Sequence, residues 1–221
     1  MDSEKARFNM VEQQIRTWDV LDQKVLDLLL SLKREAFVPK ASRALAFADL
    51  EIPLVAGGKD GAVMLSPKVE ARILQEVAPR HADKVLEVGT GSGYMAALLG
   101  SLAREVFSVE IRPELKKMGE SNLQAQGVGN VNVELGDGAR GWAAHAPYDV
   151  IVFSGSTPVL PDSVLAQLAP GGRLFAIVGD APVMEAQLVT CAAPGSYRVV
   201  NLFETCAPPL ANAAQPQRFV F

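Results

Sequence analysis

Three features of the sequence predict an α/β fold: strands alternating with helices over residues 84–178, near-continuous apolar runs in those strands, and small-residue turns at their C-terminal ends. The predicted sheet is doubly wound and mostly parallel. An antiparallel C-terminal hairpin closes it, and N-terminal helices precede it. The chain is organised around residues 84–94, which read as a short buried strand, a glycine-rich turn and the start of a helix continuing through Leu99.

From the N-terminus, residues 3–17 place Phe8, Val11 and Ile15 on one helical stripe and Glu12, Gln13 and Arg16 on the opposite face. Asp22 is an N-cap for a second helix reaching Lys33. A short helix or turn over residues 43–47 and an extended piece over 50–54 follow. Gly57, Gly58 and Gly61 then mark a loop of the kind that closes over ligand sites. Pro67 opens a helix to Val77. After the glycine-rich turn come a strand over 105–110, a helix from Pro113 to about Gln126 ended by Gly127, and a strand over 130–135.

Residues 147–153 are apolar enough to be buried on both faces. This strand ends in Ser154-Gly155-Ser156-Thr157-Pro158, at the sheet edge where open α/β folds bind ligands. Ser154 and Ser156 there read as turn residues or substrate contacts. A helix over 160–168, a turn at Pro170-Gly171-Gly172 and a strand over 173–178 complete the parallel part. Residues 184–191, 197–205 and 218–221 alternate like antiparallel strands.

Composition narrows the function. With 221 residues the chain fits one domain whose core needs no crosslinks. Its 49% hydrophobic and 21% charged residues are ordinary for a globular enzyme, and no apolar run approaches a membrane span. The polar N-terminus argues against a signal peptide, so a cytoplasmic location is expected. A net charge of −4 disfavours a nucleic-acid partner. Cys191 and Cys206 are expected to be buried free thiols, and His81 and His145 to be surface residues. Neither histidine has ligand spacing, so no metal is expected.

The glycine-rich turn points to a nucleoside-bearing ligand. Gly89, Gly91 and Gly93 permit positive φ and leave backbone N–H groups open at a helix N-terminus. Glu110 ends the next strand about 20 residues on, the offset at which a carboxylate accepts hydrogen bonds from a ribose. A dinucleotide fingerprint needs a further glycine where Tyr94 stands, which disfavours a nicotinamide oxidoreductase. Glu87, within the strand, suits a ligand carrying ammonium and sulfonium charges. Asp137 is placed to accept from an adenine amine.

The stretch Val85-Leu86-Glu87-Val88-Gly89-Thr90-Gly91-Ser92-Gly93-Tyr94, then Val109-Glu110, then Gly136-Asp137-Gly138, resembles the successive S-adenosylmethionine-binding motifs of class I methyltransferases. The wording from Glu87 to Tyr94, the later Gly136-Asp137-Gly138 and Gly141-Trp142, and the N-terminal Met10-Val11-Glu12-Gln13-Gln14-Ile15-Arg16 resemble the protein-L-isoaspartate O-methyltransferase family. The resemblance implies a Rossmann-like methyltransferase sheet, with residues 67–221 as the cofactor-binding core and 1–66 as helical cover of the substrate cleft. S-adenosylmethionine is the implied cofactor. Glu87 and the backbone of Gly89, Thr90, Gly91, Ser92 and Gly93 would hold its methionine end, Glu110 its ribose and Asp137 its adenine, with Ile111 and Gly138 also among the cofactor-binding residues.

One segment departs from the family. A Thr-x-Ser-x-Pro run there faces the transferred methyl group and the substrate carboxyl; here Val63-Met64-Leu65-Ser66-Pro67 puts Val63 and Leu65 where those hydroxyls belong. Ser66 could replace the serine only through a shift, because neighbouring side chains of an extended segment face opposite ways. The expected reaction is methylation of an isoaspartyl carboxylate in a damaged peptide or protein. The alternatives are a methyltransferase with another acceptor, such as a small carboxylate, or a non-catalytic S-adenosylmethionine-binding module. Oligomeric state is left open.

Overall fold

The computed structural model describes residues 2–55 and 61–216. The loop expected at residues 57–61, apart from Gly61, and the strand expected at 218–221 lie outside the described residues. The fold is a seven-stranded sheet with helices against both faces. Its strands are β3 (Lys84–Val88), β4 (Glu105–Glu110), β5 (Val131–Leu135), β6 (Tyr148–Thr157), β7 (Leu168–Asp180), β8 (Val183–Ala193) and β9 (Ser196–Thr205), in the order β5-β4-β3-β6-β7-β8-β9. The first five pair in parallel; β7–β8 and β8–β9 are antiparallel. The chain moves outward from β3 to β4 and β5, then returns to β6 on the other side of β3. The carboxyl ends of β3 and β6 therefore flank a topological switch point, where such sheets open a crevice. The predicted doubly wound sheet with its C-terminal hairpin is present.

Six α-helices are described: α1 (Ser3–Met10), α2 (Gln23–Ser31), α3 (Pro67–Val77), α4 (Tyr94–Leu102), α5 (Pro113–Ala125) and α6 (Asp162–Leu165). A two-stranded ladder joins β1 (Ile52–Pro53) to β2 (Val63–Met64). Residue alternation sorts the side chains of the sheet into two cores. Val85, Val106, Val150 and Val152 join the N-terminal helices, α3 and α4 on one face; Leu86, Val88, Ile151 and Phe153 pack with Val164 and Leu168 on the other. Glu87 lies between Leu86 and Val88 and so faces the first side.

Several boundaries differ from the expectation. The first helical segment runs through α1 into a π turn and a 3-10 turn ending at Trp18; Val11 and Ile15 are buried, but Phe8 is exposed. The Asp22 carboxylate caps α2 by accepting from Lys24 N at 2.8 Å, but α2 ends at Ser31. β6 continues through Thr157, so Ser154 and Ser156 are strand residues; α6 is only one turn. Cys191 is buried, whereas Cys206 is exposed. His145 is not a plain surface residue: it stacks on Phe107 at 3.8 Å and bonds Glu134 at 2.7 Å. Among the described residues no helix is long and apolar enough to cross a membrane and no group of three or more His, Cys, Asp or Glu is placed to hold a metal ion.

Candidate active site

Two adjoining cavities open at the switch point. The outer one has about 700 Å³ of free space, open solvent at its mouth included, and is walled by Val88, Val109, Ile111 and Leu115, with Glu110, Asp137 and Gly138 among its polar and backbone surfaces. The inner one has about 280 Å³ on the same measure and runs beneath the glycine-rich turn toward Glu87, Glu70, Leu65 and Met95.

The glycine-rich turn forms the floor. Gly91 has φ +49°, and a Cβ there would stand 2.8 Å from Leu54, so a side chain would close the passage. Gly89 and Gly91 line both cavities; Thr90 and Ser92 line the inner one. Gly93 lines neither. It is the N-cap of α4 at φ +83°, pressed against Gly119 of α5, so its glycine serves helix packing.

Glu110 ends β4 with its carboxylate held by two backbone donors, Gly91 N at 2.9 Å and Arg112 N at 3.1 Å. This bridging ties the acid to the glycine-rich turn and fixes its orientation, while the lone pairs left on each oxygen can receive a vicinal diol. Asp137 stands across the outer cavity. Its Oδ1 accepts from Ala139 N at 3.0 Å and its Oδ2 from Asn212 Nδ2 at 2.9 Å. Gly136 is required by Trp142, whose ring would lie 2.3 Å from an added Cβ. The ring is held in turn by its Nε1 donating to Glu134. The outer cavity thus joins a diol acceptor, a carboxylate at one end and apolar walls for a flat base.

Glu87 is fully buried. It accepts from Ser108 Oγ at 2.6 Å and from Ser154 Oγ at 2.9 Å. Burial pushes its carboxyl up to about 8; the two serine bonds oppose this, and the Glu110 and Glu70 carboxyls add to it. Glu70 beside it is raised to about 7, again by burial, against the attraction of Arg34. A neutral acid at the end of a buried cavity is adapted to become a carboxylate when a cation arrives.

The acceptor segment lies against this pair. Arg34, wholly buried, donates to Glu70, to Leu65 O at 2.6 Å and to Ala46 O at 3.0 Å, with its guanidinium 5.2 Å from the Tyr94 ring. Three differently directed donors on one rigid fork pin residues 63–66 to α3. Val63 lines both cavities and Leu65 the inner one. Ser66 lines neither: it is the residue before α3, and its side chain makes no capping bond. The shift that would bring its hydroxyl into the cleft does not occur.

Sequence reasoning missed one wall. After β9 the chain turns back over the cleft: Ser156 N donates to Pro208 O at 2.9 Å, Leu210 N to Ser156 O at 2.9 Å, and Ser156 Oγ to Ala207 O at 2.8 Å. Pro208, Pro209, Leu210 and Ala211 thereby line the outer cavity, and Asn212 reaches Asp137. Pro208-Pro209 after a strand signals that the ladder stops. It does not say where the chain goes next.

Comparison with known proteins gives these features a family. Residues 5–209 match the family described as Protein-L-isoaspartate(D-aspartate) O-methyltransferase (PCMT). Protein-L-isoaspartate O-methyltransferase 1 of Syntrophobacter fumaroxidans is 38% identical over 199 residues, 90% of this chain and 91% of that one. The Koribacter versatilis protein-L-isoaspartate O-methyltransferase is 37% identical over 204 residues, 92% and 90% of the two chains. Among solved structures, a protein-L-isoaspartate O-methyltransferase superposes with TM-score 0.79 at 24% identity, over 94% of this chain and 65% of that one. A beta-aspartate methyltransferase from Plasmodium falciparum, in complex with S-adenosyl-L-homocysteine, gives TM-score 0.76 at 16% identity over 95% and 98%. These last two likenesses speak to the fold. With the family matched over nearly the whole chain, the chain belongs to the protein-L-isoaspartate (D-aspartate) O-methyltransferase family of S-adenosylmethionine-dependent enzymes.

Proposed function

We propose that the chain methylates the free carboxylate of isoaspartyl residues in damaged peptides and proteins, with S-adenosylmethionine as donor. The observation that carries this reading is the pairing of the nucleoside-shaped outer cavity with the buried Glu87 at the far side of the glycine-rich turn. The residues fit the cofactor. Glu110, fixed by Gly91 N and Arg112 N, takes the ribose hydroxyls; Asp137 takes the adenine amine, with Gly138 and Ile111 beside the base. Glu87 answers the ammonium of the methionine end, and the backbone of Gly89 and Gly91 lets that chain pass.

When bound, the cofactor supplies a sulfonium-activated methyl group. The protein's own task is to orient and desolvate, and orientation can supply roughly 7–11 kcal/mol of a barrier of this kind. No base is needed because the acceptor is already a carboxylate. Val63 and Leu65 contribute an apolar wall where the family places hydroxyls, which strengthens electrostatic contacts by excluding water. Residues 1–66 act as the cover of the cleft and 67–221 as the cofactor-binding core. A cytoplasmic location and a peptide or protein partner accord with this reading. The changed-acceptor and binding-module alternatives gain no support from relatives that bear the isoaspartyl name over nine-tenths of the chain.

The test is transfer of labelled methyl from S-adenosylmethionine to an isoaspartyl peptide beside its aspartyl twin. Label in the isoaspartyl peptide alone is expected. Cofactor binding with no label in either peptide would overturn the reading.

A further inference from the structure

The outer and inner cavities share four lining residues, Val63, Gly89, Gly91 and Ser154. Ser154 is the one among them with a polar side chain. If the nucleoside fills the outer cavity and the ammonium faces Glu87 in the inner one, the sulfonium that links them falls at this junction. The other hydroxyls of the inner cavity, those of Thr90 and Ser92, are more deeply buried. Thr90 Oγ1 is 2.6 Å from Ser108 Oγ, and Ser92 Oγ accepts from Tyr94 N at 3.4 Å; both side chains belong to residues only 3% exposed. Ser154 is half-buried and open to both cavities.

We infer that Ser154 is the hydroxyl that receives and orients the acceptor carboxylate in this chain, standing in for the pair replaced by Val63 and Leu65. The inference rests on the isoaspartyl reading above and adds a specificity-determining residue to it. Ser154 is well supported for the task. Its strand pairs Phe153 with Val88 on β3, and Ser156, two residues on, is tied by three hydrogen bonds to the returning segment, so the backbone carrying the hydroxyl is held from both sides. Its proton goes to Glu87 Oε1 at 2.9 Å in the absence of an acceptor. A hydroxyl carries one proton and two lone pairs and rotates to suit, so the same oxygen can turn its proton to an arriving carboxylate. Glu110 at the cavity edge would repel that anion; a donor at the junction offsets this where no cationic side chain among the described residues lines the inner cavity.

The step balances without a proton. One oxygen of the acceptor carboxylate forms a bond to the methyl carbon as the bond from sulfur to that carbon breaks, and its electron pair stays on sulfur. The carboxylate becomes a neutral ester and the sulfonium a neutral thioether. Ser154 therefore contributes through binding and alignment, so its effect belongs in the KM for the peptide and in kcat/KM.

The experiment compares the native chain, Ser154→Ala, Ser154→Thr, and Ser154→Ala combined with Val63→Thr/Leu65→Ser, in methyl transfer to an isoaspartyl peptide, with S-adenosylhomocysteine affinity measured by calorimetry for each. Ser154→Ala is expected to lower kcat/KM for the peptide 10- to 100-fold, mainly through KM, with cofactor-product affinity within about threefold. Ser154→Thr, or the two restored hydroxyls, should recover most of the loss, which a purely structural role would not allow. Unchanged kcat/KM in Ser154→Ala overturns the inference while leaving the isoaspartyl activity standing. Loss of cofactor-product affinity in parallel with kcat/KM also overturns it, assigning Ser154 to the cofactor. A native chain that binds the cofactor product but neither binds nor labels the isoaspartyl peptide overturns the functional reading, and this inference with it.

Discussion

At the scale of single residues, the site is dominated by acids whose environments differ. Glu110 is held by backbone N–H groups at the cavity edge; Glu87 is enclosed, with two serine hydroxyls as its partners among the described residues. Position along the strand and the end of the next strand announced both acids in the sequence. The protonation state of Glu87 was not announced, because it depends on how completely the neighbouring elements seal it. With its carboxyl raised to about 8, Glu87 is mostly neutral at pH 6–7 in the free protein, and the ammonium of a bound ligand favours the charged form. Binding of S-adenosylmethionine should therefore release a proton, and affinity should rise with pH toward 8, by up to about tenfold per unit at the steepest. Calorimetry in buffers of different ionisation enthalpy reads the proton directly. Glu87→Gln should abolish both effects; a native affinity flat from pH 6 to 8 would remove Glu87 from the ammonium site.

At the scale of elements, the informative one is the segment that follows β9. It crosses the carboxyl end of β6, presents Pro208 to Ala211 to the outer cavity and extends Asn212 to Asp137. The family match covers residues 5–209, and Asn212 lies three residues past its end. Asn212→Ala should leave Asp137 less fixed and weaken S-adenosylmethionine binding by about 1 kcal/mol, roughly fivefold, whereas Asp137→Ala should cost more. Equal affinity for native and Asn212→Ala protein by calorimetry would show that the hydrogen bond plays no part in base recognition. The acceptor segment shows the same limit of local reading. Its altered hydroxyl pattern was plain in the sequence, but its attachment through Arg34 to Glu70 and Leu65 O spans more than 30 residues and follows no periodicity.

At the scale of the whole molecule, a sheet that carries buried acids on one face ties stability to pH. The carboxyls of Glu87 and Glu70 are raised in the folded protein, so each favours folding fully below the unfolded carboxylate range near 4.5, and that contribution is lost as pH climbs through about 7 to 8. The urea midpoint should fall between pH 5 and 8, and Glu87→Gln should flatten part of that decline; a midpoint that rises across the range would mean these acids are not the controlling groups. The sequence by itself determined the parallel order of strand and helix, the glycine-rich turn, the two acids that line the outer cavity and the antiparallel end, because each is written in near-neighbour spacing. Only the tertiary structure decided that Ser154 meets Glu87 across 67 residues, that Asn212 meets Asp137 across 75, that Ser66 lines neither cavity and that Cys206 is exposed. Those outcomes depend on which surfaces the folded sheet brings together, and no local pattern in the chain encodes such a meeting.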